Sequence, residues 1–220
     1  MWNETVMKMV VVGIFETLYM TFMSSFIAYL IGLPLGVILV ITDKEGIAPN
    51  PMINKVLGVI VNIVRSVPFI ILLITVMPFT RWIVGTTIGS TAVIPPLILA
   101  SAPYIARLVE SSLKEVDYGV IEAAQSMGAT TFQIIRKVLL PEAKPSLIIG
   151  SAIAITTILG YSAMAGFVGG GGLGDIAIRY GYYRKEIDIA FVTVILMVVI
   201  VQGIQELGAR WMKHTDKRLH

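Results

Sequence analysis

The residue types that carry most enzyme chemistry are scarce here and poorly placed to cooperate. Cysteine is absent, which excludes disulfides, thiol nucleophiles and thiolate metal ligands. The two histidines, His214 and His220, both fall in the polar tail and build no paired site within the apolar body. No stretch has the glycine, lysine and hydroxyl spacing of a phosphate-binding loop. The glycine run from Gly169 to Gly174 could be taken for a nucleotide fingerprint, but it follows an apolar run, not a strand. It reads better as a flexible turn, on the outer side, that other backbone approaches closely. A membrane-embedded enzyme would need clustered Asp, His, Cys or Ser-Lys pairs at membrane depth, and none is present.

What remains is chemistry of recognition, concentrated in residues 107–145. Asp117 is placed to cap a short helix, with Glu115 near its positive end. Val120, Ala124 and Met127 then fall on one helical face, and Gly128 supplies a C-terminal stop. Thr130 followed three residues later by Gln133 is a capping box. A second short helix carries Phe132, Ile135 and Leu139 on one stripe and is expected to end before Pro141. Two amphipathic helices joined by a glycine turn make a docking element, or a hairpin lying on the membrane surface.

The elements around this segment are set by hydropathy. The 220-residue chain has only 14% charged residues and a mean hydropathy of +0.84, against about 25% charged in a soluble domain. Runs over 18–41, 56–80, 82–106, 146–174 and 189–205 are each long enough to span a bilayer, which takes roughly 20 apolar residues. They carry no Asp or Glu, and only Arg65 among the basic residues. Ion-driven transporters keep acids within such runs, so no proton or sodium relay is expected. The chain is therefore read as an all-α integral membrane protein of about five transmembrane helices, a single transmembrane domain over 1–220. Residues 1–17 are expected to lie on the membrane or to extend the first span, without the form of a cleaved signal peptide. Pro68 should kink the second span and Pro78 end it. Pro95, Pro96 and Pro103 in the third call for neighbouring protein or water to satisfy freed carbonyls. Small residues there (Ala100, Ser101, Ala102, Ala106) permit close helix contact.

Positive charge sets the orientation. Twelve of the 17 Lys and Arg residues fall on one side if the C-terminus is cytoplasmic, which places the N-terminus outside and the 107–145 loop inside. The basic residues sit mainly in these inner segments, including Lys217 and Arg218 of the tail, so nucleic acid is not expected as a partner.

Within the inner loop, Glu122-Ala123-Ala124, then Gly128, then Val138-x-Leu140-Pro141 resembles the signature of bacterial ABC importer permeases: Glu-Ala-Ala, three residues, Gly, nine residues, Ile-x-Leu-Pro. Val138 in place of Ile is the one departure. The stretches 65–73, 160–164 and 169–174 are similar to the methionine-importer permease in particular. Permeases for polar amino acids share parts of the second-span motif. The resemblance implies a type I ABC importer permease fold in a bacterial plasma (inner) membrane. It implies a second copy of the chain as partner, an ATP-binding subunit docked through Glu122, Ala123, Ala124, Gly128, Leu140 and Pro141, and an external substrate-binding protein delivering methionine. ATP and Mg would be bound by the partner subunit, with no cofactor in this chain. Met164 is the implied gate residue. Tyr161, Ser162, Ser66 and Pro68 are candidates for the translocation path, although Ser162, like Thr156 and Thr157, can equally bond its own helix. A permease for another amino acid, or a stand-alone channel, remains the alternative at this level.

Overall fold

The structure is a computed structural model that describes residues 4–215. Lys217, Arg218 and His220 of the polar tail lie outside the described residues. The described chain folds as α1 (Glu4–Ile41), α2 (Pro51–Ser66), α3 (Phe69–Val84), α4 (Ser90–Lys114), α5 (Tyr118–Ser126), α6 (Thr131–Ile134), α7 (Leu140–Glu142), α8 (Lys144–Met164), α9 (Gly172–Ile176) and α10 (Ile187–Thr215). Wide π turns over Ile135–Leu139 and Ala177–Tyr183 and a 3₁₀ turn over Ala165–Val168 complete it. No strand occurs among the described residues.

Among the described residues, four helices are long and apolar enough to cross a membrane: α1, α4, α8 with its 3₁₀ turn, and α10. The pair α2 and α3 makes a fifth candidate, bent by 104° at its break. The expected single kinked helix over 56–80 is thus two helices. Pro68 has φ −57° and ψ 133° and precedes α3 instead of lying inside a helix, because proline lacks the donor and disfavours helical backbone at Val67. Pro78 does not end α3, which continues to Val84 and stops at Gly85 (φ 83°), whose N–H donates to the Arg81 carbonyl. α1 is one continuous helix of 38 residues, about 57 Å long at 1.5 Å per residue, so residues from Glu4 extend the first span. α4 likewise runs past Ala106 to Lys114, and the loop that follows is shorter than the expected 107–145.

The residues group into two compact units. In the unit formed by Ala28–Ser66, Ala102–Ala154 and Glu206–His220, α1 and α4 approach through backbone. A Cβ added to Gly32 would lie 2.7 Å from the Ala102 carbonyl oxygen, and one on Gly36 2.6 Å from that of Ala106. Ala28, Gly32 and Gly36 recur at every fourth position of α1 and are all buried, the small-residue spacing that lets membrane helices pack closely. Ala102 and Ala106, noticed in the sequence as small, are the partners of Gly32 and Gly36 on this seam.

In the unit formed by Met1–Ile27, Val67–Ser101 and Ile155–Gln205, the glycine run is the centre of a polar clasp. The Gly172 N–H donates to Glu16 Oε2 at 2.7 Å, and the Leu173 N–H to Thr17 Oγ1 at 2.9 Å. The Thr17 hydroxyl in turn donates to the Gly13 carbonyl. Gly169, Gly171 and Gly172 have φ of 74°, 77° and 77°, in the left-handed region that glycine adopts freely. The close backbone approach expected of this run is present, and α1 holds the turn by two hydrogen bonds. Glu16 lies in the part of α1 that precedes the apolar run 18–41. Replacing Glu16 by Ala leaves the Gly172 amide without its acceptor. The expected loss is about 1–3 kcal/mol of stability, read as a lowered Tm in detergent, with Glu16→Gln falling between.

Candidate functional site

The loop expected to dock a partner is assembled from local signals. The Asp117 carboxylate accepts from the Gly119 N–H at 2.8 Å and caps α5. The helix ends with the Gly128 N–H donating to Gln125 O (2.9 Å) and the Ala129 N–H to Ala124 O (3.1 Å). This double closure requires a left-handed residue, and Gly128 has φ 79°. Thr130 and Gln133 then form the reciprocal capping box. Both short helices are therefore fixed at their ends without help from a partner.

The buried positions are not the same as the apolar stripes read from the spacing. Ile121 and Ala124 of α5, and Ile134 and Leu139 beyond it, are the buried apolar positions. Val120 is exposed, Met127 is 81% exposed and Phe132 68%. Only Ala124 of the first expected face and Leu139 of the second are buried, while Ile135 is half-buried. A helical repeat identifies apolar positions but not which of them face the rest of the chain. The second helix does not end before Pro141 either. A π turn at Ile135–Leu139 widens the helix, with the Leu140 N–H reaching Ile135 O, and α7 takes Pro141 into its first turn, where a missing donor costs little. Glu122, Ala123, Gly128 and Pro141 are exposed, Leu140 is half-buried and Ala124 is buried. The loop thus presents Glu122, Met127, Gly128 and Phe132 outward on a rigid frame.

Behind the loop lies a cavity of about 350 Å³ lined by residues including Val40, Ile41, Leu113, Tyr118, Ile121 and Leu139. Beside it runs a chain of charges that the sequence reading missed. Lys114 Nζ lies 2.8 Å from Asp43 Oδ2 and 3.0 Å from Glu110 Oε1. Arg107 contacts Glu110 Oε2 at 2.5 Å and donates to Asn62 Oδ1 at 2.8 Å and to the Gly58 carbonyl at 3.3 Å. The signal was the spacing Arg107, Glu110, Lys114, three and four residues apart on one helical face.

The hydrogen bond from Lys114, with that from the Lys44 amide, holds the Asp43 carboxyl below the usual carboxylate range. A carboxylate lowered on folding stabilises the folded state at pH above its unfolded value, near 4, and loses that contribution as pH falls through the lowered folded value. Asp43 is partly exposed, so solvent screening keeps the contribution small. The stability difference between the wild type and Asp43→Asn is therefore expected to be constant from pH 7 to about 5. It should shrink on further acidification, as thermal unfolding across that range would record.

The path candidates divide. Tyr161 is half-buried, and its ring stacks on Phe69, next to Pro68, at a centroid distance of 4.7 Å. Met164 ends α8 and is 47% exposed. Ser162 is buried and donates to the Leu159 carbonyl, so it offers no surface to a solute. Ser66 and Pro68 are exposed, and the Ser66 hydroxyl donates to the Asn62 carbonyl. Among the described residues no group of three His, Asp or Glu gathers in metal-binding geometry.

A family described as "Binding-protein-dependent transport system inner membrane component" matches residues 32–219. A protein of Vibrio cholerae named "Probable D-methionine transport system permease protein MetI" is 50% identical over 217 residues, covering 99% of this chain and 96% of that one. The "D-methionine transport system permease protein MetI" of Escherichia coli K12 is 52% identical over 164 residues, 74% of this chain and 76% of that one. Among solved structures, a chain from "Inward facing conformations of the MetNI methionine ABC transporter: CY5 native crystal form" superposes with a TM-score of 0.97. It shares 47% identity over 98% of this chain and 100% of that one.

Proposed function

We infer that this chain, which belongs to the family of binding-protein-dependent transport system inner membrane components, is the permease subunit of an ABC importer for methionine. It is a multi-pass protein of the bacterial inner membrane. ATP hydrolysis belongs to a separate ATP-binding subunit of the transporter, and this chain supplies the path.

The finer reading concerns how the parts meet. Two copies of the chain form the path, and each docks one ATP-binding subunit through Glu122, Ala123, Ala124, Gly128, Leu140 and Pro141. ATP and Mg are held by that subunit. An external binding protein delivers the substrate to the opposite face. The N-terminus is outside and the C-terminus cytoplasmic, by the asymmetry of Lys and Arg. Met164, flexible and apolar, is the constriction that opens and closes, with Tyr161, Pro68 and Ser66 along the path. A constriction without fixed charge leaves substrate choice mainly to the binding protein.

One observation carries the docking assignment: Met127 and Phe132 stand exposed on a loop whose helix ends are already closed by the chain itself. Large apolar side chains held rigidly outward are the form a partner's pocket recognises, and the shift of a docked loop passes as a rigid body to the helices behind it. Because the chain has no cysteine, Met127→Cys creates a unique attachment point for a photo-cross-linker. In membranes containing the assembled transporter, the adduct is expected to contain the ATP-binding subunit. Trp82→Cys, equally exposed but in α3, should give none. An adduct from Trp82→Cys and not from Met127→Cys would refute the assignment.

A further inference from the structure

α2 is held with little apolar packing. Val61 is its one buried residue among the described side chains. Several of its links to the rest of its unit are polar. Asn54 Nδ2 donates to the Leu39 carbonyl at 2.7 Å near the end of α1. Arg107 of α4 donates to Asn62 Oδ1 and to Gly58 O. Arg107 is oriented in turn by Glu110, whose other carboxylate oxygen receives Lys114, and Lys114 reaches Asp43 in the turn between α1 and α2. Glu110 is 9% exposed, so it is the shielded centre of the chain, where charge pairs are screened least.

We propose that Glu110 is a positioning residue of the transport cycle, tying α2 and the α1–α2 turn to α4 through Arg107 and Lys114. The proposal rests on the importer reading above and adds how the movement of the docking loop is distributed. The cavity behind that loop is walled by the ends of α1 and α4 together with Ile121 and Leu139. Ile121 and Leu139 of the loop thus face Leu113, Val116, Val40 and Ile41 around a cavity. Apolar surfaces that line a cavity allow sliding, whereas a shared carboxylate with two cations fixes distance and direction. Through Glu110, α4 carries α2 with it, and α2 leads into Pro68. With Glu110 neutral, Arg107 and Lys114 lose their common counter-ion. Their contacts with Asn62 and Asp43 become independent, and α2 lags behind α4.

The test measures methionine transported per ATP hydrolysed by the complete importer in proteoliposomes, with assembly checked by size exclusion. Glu110→Gln is expected to lower this ratio roughly three- to thirtyfold, and Glu110→Asp to recover part of it. A variant that only loosened the fold would lose hydrolysis and transport together and leave the ratio unchanged, which would overturn the proposal. Should Glu110→Gln fail to assemble, Asn62→Leu alters the exposed end of the same chain of contacts and is expected to lower the ratio as well. An unchanged ratio in an assembled Asn62→Leu complex also overturns it. Failure of the wild type to couple ATP hydrolysis to methionine uptake would instead refute the importer reading.

Discussion

The double variant Met127→Asp, Phe132→Asp is expected to release the ATP-binding subunit and abolish ATP-dependent transport while leaving the chain folded. Both side chains point away from the unit that carries them, so stability should change by less than about 0.5 kcal/mol, as for ordinary surface substitutions. At an interface the same positions behave differently. Truncating a large apolar anchor seated in a partner's pocket costs about 2 kcal/mol or more, and a carboxylate there adds its own desolvation. Two such losses weaken binding by roughly a thousandfold. Binding measured in detergent by surface immobilisation, alongside thermal unfolding of the same samples, separates the two effects. Ile121→Asp provides the contrast, because Ile121 is buried and its replacement should lower stability directly.

Gly36→Leu is expected to prevent folding. The first carbon of the new side chain would sit 2.6 Å from the Ala106 carbonyl oxygen and 2.6 Å from Val109 Cβ. Backbone cannot yield there as a flexible side-chain end would, and Gly32, one turn away, is equally tight. Relief requires α1 and α4 to separate along the seam, a cost of about 3 kcal/mol or more for overpacking of this kind. Gly203→Ala is the opposite case. Nothing lies within 4 Å of a Cβ at that position in α10, so the alanine should stabilise by roughly 0.5–1 kcal/mol through helix propensity. Monodispersity and Tm of the two variants in detergent are expected to move in opposite directions.

The legible parts of this molecule were those governed by local chemistry. Hydropathy located the membrane helices, and the caps at Asp117, Gly128 and Thr130 appeared where a donor or acceptor a few residues away required them. The features that were not legible depend on distant partners. Glu16 meets Gly172 across 156 residues, and nothing near Glu16 indicates that a membrane helix will use it to clasp a glycine turn. Gly32 and Gly36 are ordinary glycines until Ala102 and Ala106 lie against them. The true end of α4 was hidden because charge normally marks a helix leaving the membrane, whereas Arg107 and Lys114 share Glu110, and Lys114 also meets Asp43, as the helix continues. Pro68 in sequence indicates a kink, whereas the second span is broken there into two helices bent by 104°. In the loop after α4, spacing gave the two helices and their turn but not which of their apolar positions the unit buries. Ile121 and Val120 are adjacent apolar residues, and only the packed unit decides which is buried. Among the path candidates, Ser162 is buried and bonds the Leu159 carbonyl, as a helical serine can on its own backbone.

The central claim is that this chain forms an ATP-driven path for methionine with its ATP-binding subunit and has no transport activity alone. Uptake of labelled methionine into proteoliposomes tests it most directly, comparing the chain alone with the complex, with and without ATP and a methionine-binding protein. The account predicts accumulation against a gradient only in the complex supplied with both. Equilibration of methionine by the chain alone, unaffected by ATP, would contradict it and establish a channel in its place.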